Sequence, residues 1–185
     1  MPLEIYKAFG PISVIIGWTA IGFLIYKWRG DRSMSISKHA AAHKGSYVLM
    51  LVVESIVLPM FFIFVAKWIV PTFDLPNFFT ICVGIASLGL LVAAWIPDTR
   101  GLKSVVHGLA SYTGAVLFIP ALTILYVSSN IFGFAKYFTL AVLVYEIVAM
   151  VVFTVIEEAR NYHLWVQAGY ILLFDLVLLT VAYIR

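Results

Sequence analysis

The chain has 185 residues, of which 63% are hydrophobic and 11% charged, with a formal net charge of +3. Water-soluble domains average about 45–50% apolar and about 25% charged residues, so this composition excludes a soluble domain and makes lipid the solvent. The basic residues gather at the ends of apolar runs, where they set topology rather than bind nucleic acid, and the lone Cys82 excludes an internal disulfide or a CxxC redox pair.

A hydrocarbon core of about 30 Å takes roughly 20 apolar residues to cross as a helix. Six runs of that length predict an all-α polytopic membrane bundle in a single domain, residues 1–185. The opening MPLEIYK lacks a basic leader and a small-residue cleavage site, so the first run reads as a retained helix. That span, Ala8 to Trp28, ends in an interfacial group of Tyr26, Lys27, Trp28 and Arg29. The longest polar stretch, Arg29 to Lys44, follows; it is expected to begin as a loop and end as an interfacial helix through KHAAAHK.

The second span, Gly45 to Val70, contains Glu54 and Pro59, and a proline inside a helix frees the carbonyl four residues back, here that of Ser55. After the loop PTFDLP, the third span (Asn77 to Ile96) is rich in small residues, among them Gly84, Ala86, Gly89 and Ala93, which let backbones approach closely. A polar connection, Pro97 to Lys103, leads to the fourth span, Ser104 to Val127. There Ser104, Gly108, Ser111 and Ala115 fall on one face as a packing seam, and Pro120 is expected to kink the helix. The fifth span, Phe132 to Ile156, carries Glu146; the sixth, Leu164 to Ile184, follows EEARNYH and carries Asp175.

Eight basic residues (Lys27, Arg29, Arg32, Lys38, Lys44, Arg100, Lys103, Arg160) fall on the first, third and fifth links, against four (Lys7, Lys67, Lys136, Arg185) on the other side. The excess predicts that the odd links are cytoplasmic and both termini outside, in a cell membrane.

Three carboxylates, Glu54, Glu146 and Asp175, lie well inside spans, where an ionised side chain costs about 2.5–3.5 kcal/mol on insertion scales. They are expected to face the bundle interior, and no span carries a buried lysine or arginine to pair with them. Glu146, Met150, Phe153 and Glu157 stand at i, i+4, i+7 and i+11; His43, Tyr47, Met50 and Glu54 repeat that spacing if the second helix extends back through Gly45. Each stripe would join a mid-membrane carboxylate to the rim over about 16 Å. Facing one another, two such stripes would line an interior site for a proton, a cation or a small amphiphile. The bland alternative is that each carboxylate is satisfied by its own neighbours and fixes the helix arrangement.

All four histidines, His39, His43, His107 and His163, fall on the odd-link side with Asp98, Glu157 and Glu158. His43, His107 and His163 with Glu157 or Asp98 are the residue types of a zinc-like site, although no HExxH or comparable motif is present. Haem is disfavoured, since its axial ligands come from facing helices at matching depth and these histidines lie near the interface. A second class of function is an enzyme acting on a lipid-like substrate at the rim, with His107 and Asp98 as acid and base. No GxSxG elbow or phosphate loop is present. A third class is a non-catalytic subunit whose small-residue seams on the third and fourth spans hold a partner.

From Trp95 to Pro120 an apolar span ends in Pro97-Asp98 and, after a short link, His107 opens a helix with Ala110 and a later Phe118-x-Pro120. This stretch resembles the bacterial and archaeal membrane family known as domain of unknown function 998, with Ile96 in place of the usual Phe before Pro-Asp. The resemblance implies a multi-span bundle and no particular activity; a more distant likeness to eukaryotic membrane proteins implies at most a lipid-related role.

Overall fold

The computed structural model describes residues 4–28, 30–31, 33–99 and 101–184, apart from the side chain of Arg160. Arg29, Arg32, Arg100 and Arg185, which entered the count of basic residues, lie outside the described residues, as does the Arg160 side chain. The described chain is helical, with no strand. Its elements are α1 (Glu4–Lys27), α2 (Ile36–Ala41), α3 (Lys44–Phe64), α4 (Val70–Phe73), α5 (Asn77–Trp95), α6 (Leu102–Val127), α7 (Gly133–Val155) and α8 (His163–Tyr183). A π-helical turn, Val65–Ile69, joins α3 to α4, so six helices are long and apolar enough to cross a membrane. The protein is an integral, multi-pass bundle.

The π turn has a local cause. Pro71 has no N–H to return to Lys67, so the ladder widens just before it. The second span therefore runs on to Phe73, past the expected end at Val70, and stops at Asp74, whose backbone is left-handed (φ 49°). Across the same end of the bundle, the Asn130 amide donates to Phe73 O (2.9 Å), and the Lys7 ammonium lies over the rings of Trp68 and Tyr183 (4.9 and 4.5 Å).

The tightest pair is α5 with α6. A Cβ placed on Gly89 would sit 2.6 Å from the Ala110 carbonyl oxygen, and one on Gly114 would sit 3.2 Å from Ala86 O. The small residues of the third and fourth spans thus meet each other within this chain. The contact face of α6 differs from the expected seam: Gly108 is exposed with open space around it, whereas His107, Gly114, Phe118 and Ala121 are buried. Helical spacing alone identifies a set of small residues on one face without saying which face a neighbour occupies.

The first link does more than lie at an interface. After the N-cap Ser35, whose hydroxyl accepts from Lys38 N (3.1 Å), α2 turns inward and buries Ile36, His39 and Ala40. Ser46 of α3 fastens its end by donating to Ala40 O (2.7 Å) and His43 O (2.8 Å), and Gln167 Oε1 of α8 accepts from Ile36 N (2.9 Å). The short helix stoppers one end of the bundle.

Candidate functional site

Beneath α2 lies a hollow of about 110 Å³ between α1, α3, α5, α6 and α8. One water needs about 10–15 Å³ of such room, so several fit. Glu54 projects into it from α3 and Asp175 from α8, near enough for their charges to interact. Both keep some accessible surface because they face the hollow. The Trp18 indole N–H of α1 donates to Asp175 Oδ2 (2.9 Å), while the Glu54 carboxyl makes no hydrogen bond among the described residues. Tyr47 and Met50 continue the Glu54 stripe along the same hollow toward the rim.

The upper end of that stripe departs from expectation. His43 is the exposed N-cap of α3 with extended backbone (φ −137°, ψ 142°), so the helix starts one residue too late to carry it inward. His39 is 1% exposed and its Nδ1 donates to Ser35 O (3.0 Å), so it faces inward while His43 faces outward.

Glu146 stands apart. It is 0% exposed, lines neither this hollow nor the next, and neither carboxyl oxygen has a hydrogen-bond partner among the described residues. Tyr170 lies beside it but donates its hydroxyl to Ala115 O (2.9 Å). The three carboxylates therefore do not share one site: α7 packs on α6 and α8, and its Glu146 faces neither hollow. Leaving two buried acceptors unmatched costs about 1–3 kcal/mol, so Glu146→Met is expected to raise unfolding stability by about 1 kcal/mol, read by thermal melts in detergent. A loss of stability would mean that the carboxyl is bonded.

A second hollow, of about 300 Å³, is bounded by α6, α7 and α8. Met150 and Phe153 of the Glu146 stripe line it, together with Tyr170, Phe118 and His163. Glu157 falls beyond the end of α7, exposed in a 3-10 turn (Glu157–Tyr162). Among the described residues no three His, Cys, Asp or Glu side chains stand close enough to hold a metal ion, so His43, His107, His163 and Glu157 are not brought together.

His107 separates the two hollows. Its Nδ1 lies 2.9 Å from Ala93 O and 2.8 Å from Ile96 O, both at the end of α5. Carbonyls only accept, so Nδ1 carries a proton and the ring presents Nε2 to Ser37 Oγ (2.9 Å) of α2. Asp98 instead accepts from Ser104 Oγ (2.7 Å) and lies 4.0 Å from Lys38 Nζ. The expected acid–base pair of His107 and Asp98 is thus not hydrogen-bonded, because each is taken up in joining α6 to its neighbours. Because α6 begins at Leu102, His107 lies in its second turn, deep enough to reach back under α5. His107→Phe would leave two carbonyls without that donor; a loss of about 1–2 kcal/mol is expected, and unchanged melting would contradict the bridging role.

Trp18, Ser37 and Gln167, which line the first hollow, are not singled out by the sequence, and Ser111 reads there only as part of a packing seam. Trp18 did carry a signal: tryptophans favour the membrane interface, and one in mid-span needs a partner for its N–H. Against family models, curated proteins and solved structures, the chain gives no match.

Proposed function

We propose that this membrane bundle is of the binding or transport type, and that Glu54 and Asp175 form its interior site for a proton or cation. The observation that carries the proposal is the pairing: carboxylates from two helices face one water-sized hollow whose described lining contains no lysine or arginine. Like charges in such a place repel, and a proton or cation is what balances them. Glu54 weighs most, since it has no hydrogen bond among the described residues that a purely structural role would explain.

On the count of basic residues we place the α2 end in the cytoplasm of a cell membrane, so that the hollow is reached from that side. Kinship with the domain of unknown function 998 family, carried by Pro97, Asp98, His107, Phe118 and Pro120, is held as a proposal as well; it supplies no activity.

The test is proton release on adding Na+, K+ or tetramethylammonium to lightly buffered protein in nanodiscs, with dye-reported proton flux in liposomes beside it. Stoichiometric release, or flux above that of protein-free vesicles, is expected. Neither release nor flux would overturn the proposal.

A further inference from the structure

The second hollow is more than a proton or a bare metal ion requires. Most of its lining is apolar, with Ala115, Phe118, Met150, Phe153, Val166 and Ile171, and with about 300 Å³ it is the roomier of the two. A hydrated ion gains nothing from such a surface, whereas a hydrocarbon body is stabilised in proportion to the area it removes from water.

The two hollows share a wall. Ser37, His107, Ser111, Gln167, Phe118 and Ile171 line both. On the rim side that wall is closed by single hydrogen bonds from a six-residue helix, Ser37 to His107 and Ile36 to Gln167. Glu54 and Asp175 lie on one side of it, and the apolar lining on the other.

Charge chooses the occupant. Besides the neighbouring His107 and His163, the titratable groups with charge to offer in the two linings are the carboxylates Glu54, Asp175 and Asp98, with no lysine or arginine among the described lining residues. Lys38, whose ammonium stands 4.0 Å from Asp98, has a half-exposed side chain and lines neither hollow. An anionic head would meet like charge on both sides of the wall, whereas a cationic one is complementary. Trp18, already bonded to Asp175, adds an aromatic ring beside that carboxylate, the kind of surface that attracts quaternary ammonium groups.

We propose that the two hollows are one divided chamber for an amphipathic organic cation, its charged head at Glu54, Asp175 and Trp18 and its apolar body between α6, α7 and α8. This rests on the carboxylate pair being the interior cation site, and it names the class of ligand.

Full-length protein in phosphatidylcholine nanodiscs, titrated calorimetrically with hexyltrimethylammonium, tetramethylammonium and hexyl sulfate, provides the test. Hexyltrimethylammonium is expected to bind at least about tenfold more tightly than either of the others, as burial of its hexyl chain allows. Ala149→Trp, which fills the second hollow from α7, is expected to remove that advantage while leaving tetramethylammonium binding unchanged; Val166→Trp fills it from α8, should one variant fold poorly. Glu54→Gln is expected to weaken both ammonium ions. Equal binding of the two ammonium ions, tighter binding of hexyl sulfate, or indifference to both tryptophan variants would overturn the divided chamber. In each of those cases, proton release that still depends on Glu54 would leave the cation site standing, and indifference of every ligand and of proton release to Glu54→Gln would remove both.

Discussion

Glu54→Gln and Asp175→Asn are each expected to lower cation affinity by about a hundredfold, and the double variant to abolish binding and any flux. At about 5 Å and an effective dielectric of about 20, one unit charge contributes about 3 kcal/mol, and each 1.4 kcal/mol is a factor of ten. The substitutions are close to isosteric, so little else changes. The amide introduced by Asp175→Asn would keep an oxygen for the Trp18 N–H, which now bonds Asp175 Oδ2 at 2.9 Å, and Glu54 has no hydrogen bond among the described residues to lose. Melting temperatures should therefore stay near that of the parent. Glu146→Gln is the internal control: it is as deeply embedded in the bundle but faces neither hollow, and its effect on affinity is expected to be less than about twofold, since uncoupled sites add independently. Calorimetry on the parent and the four variants decides the matter. If Glu146→Gln weakened binding as much as Glu54→Gln, or if neither Glu54→Gln nor Asp175→Asn did, the assignment of the pair would be wrong.

The same contrast shows what the sequence holds. The six spans are legible because lipid demands long apolar runs, and their ends fall within a few residues of expectation: Asn77–Trp95 for the third, Gly133–Val155 for the fifth. That buried acids should avoid lipid is equally legible. Which acids meet is a matter of neighbours, and one helix face says nothing about which helix stands opposite. Glu146 obeys the rule by pointing into the α7 packing surface, and Glu54 and Asp175 obey it by pointing at a hollow. The inward fold of α2 is illegible for a related reason. KHAAAHK reads as an interfacial helix, and the hydrogen bonds that draw it in come largely from Gln167 and His107, remote in sequence.

Gly89→Ala should be the most damaging single-methyl change among the helix glycines of α5 and α6. An added Cβ would lie 2.6 Å from the Ala110 carbonyl oxygen and 3.4 Å from Gly114 N, both backbone atoms, so no side chain can swing away and the helices must part. Overpacking of this kind costs about 1–3 kcal/mol, sometimes more, against a gain of about 1 kcal/mol from helix propensity. A net loss of about 2–3 kcal/mol is expected here, because separation of α5 from α6 also stretches the bonds from His107 to Ala93 O and Ile96 O and disturbs a wall common to both hollows. Gly114→Ala, at 3.2 Å from Ala86 O, should cost less; Gly108→Ala, with nothing within 4 Å, should gain up to about 1 kcal/mol. Reversible unfolding in mixed micelles ranks the three. Gly89→Ala should weaken binding of tetramethylammonium in proportion to its loss of stability, since Ser87 and Leu90 beside it line the carboxylate hollow. A Gly89→Ala protein as stable as Gly108→Ala would mean that α5 and α6 do not cross at Gly89 and Ala110, and the wall built on that crossing would have to be redrawn.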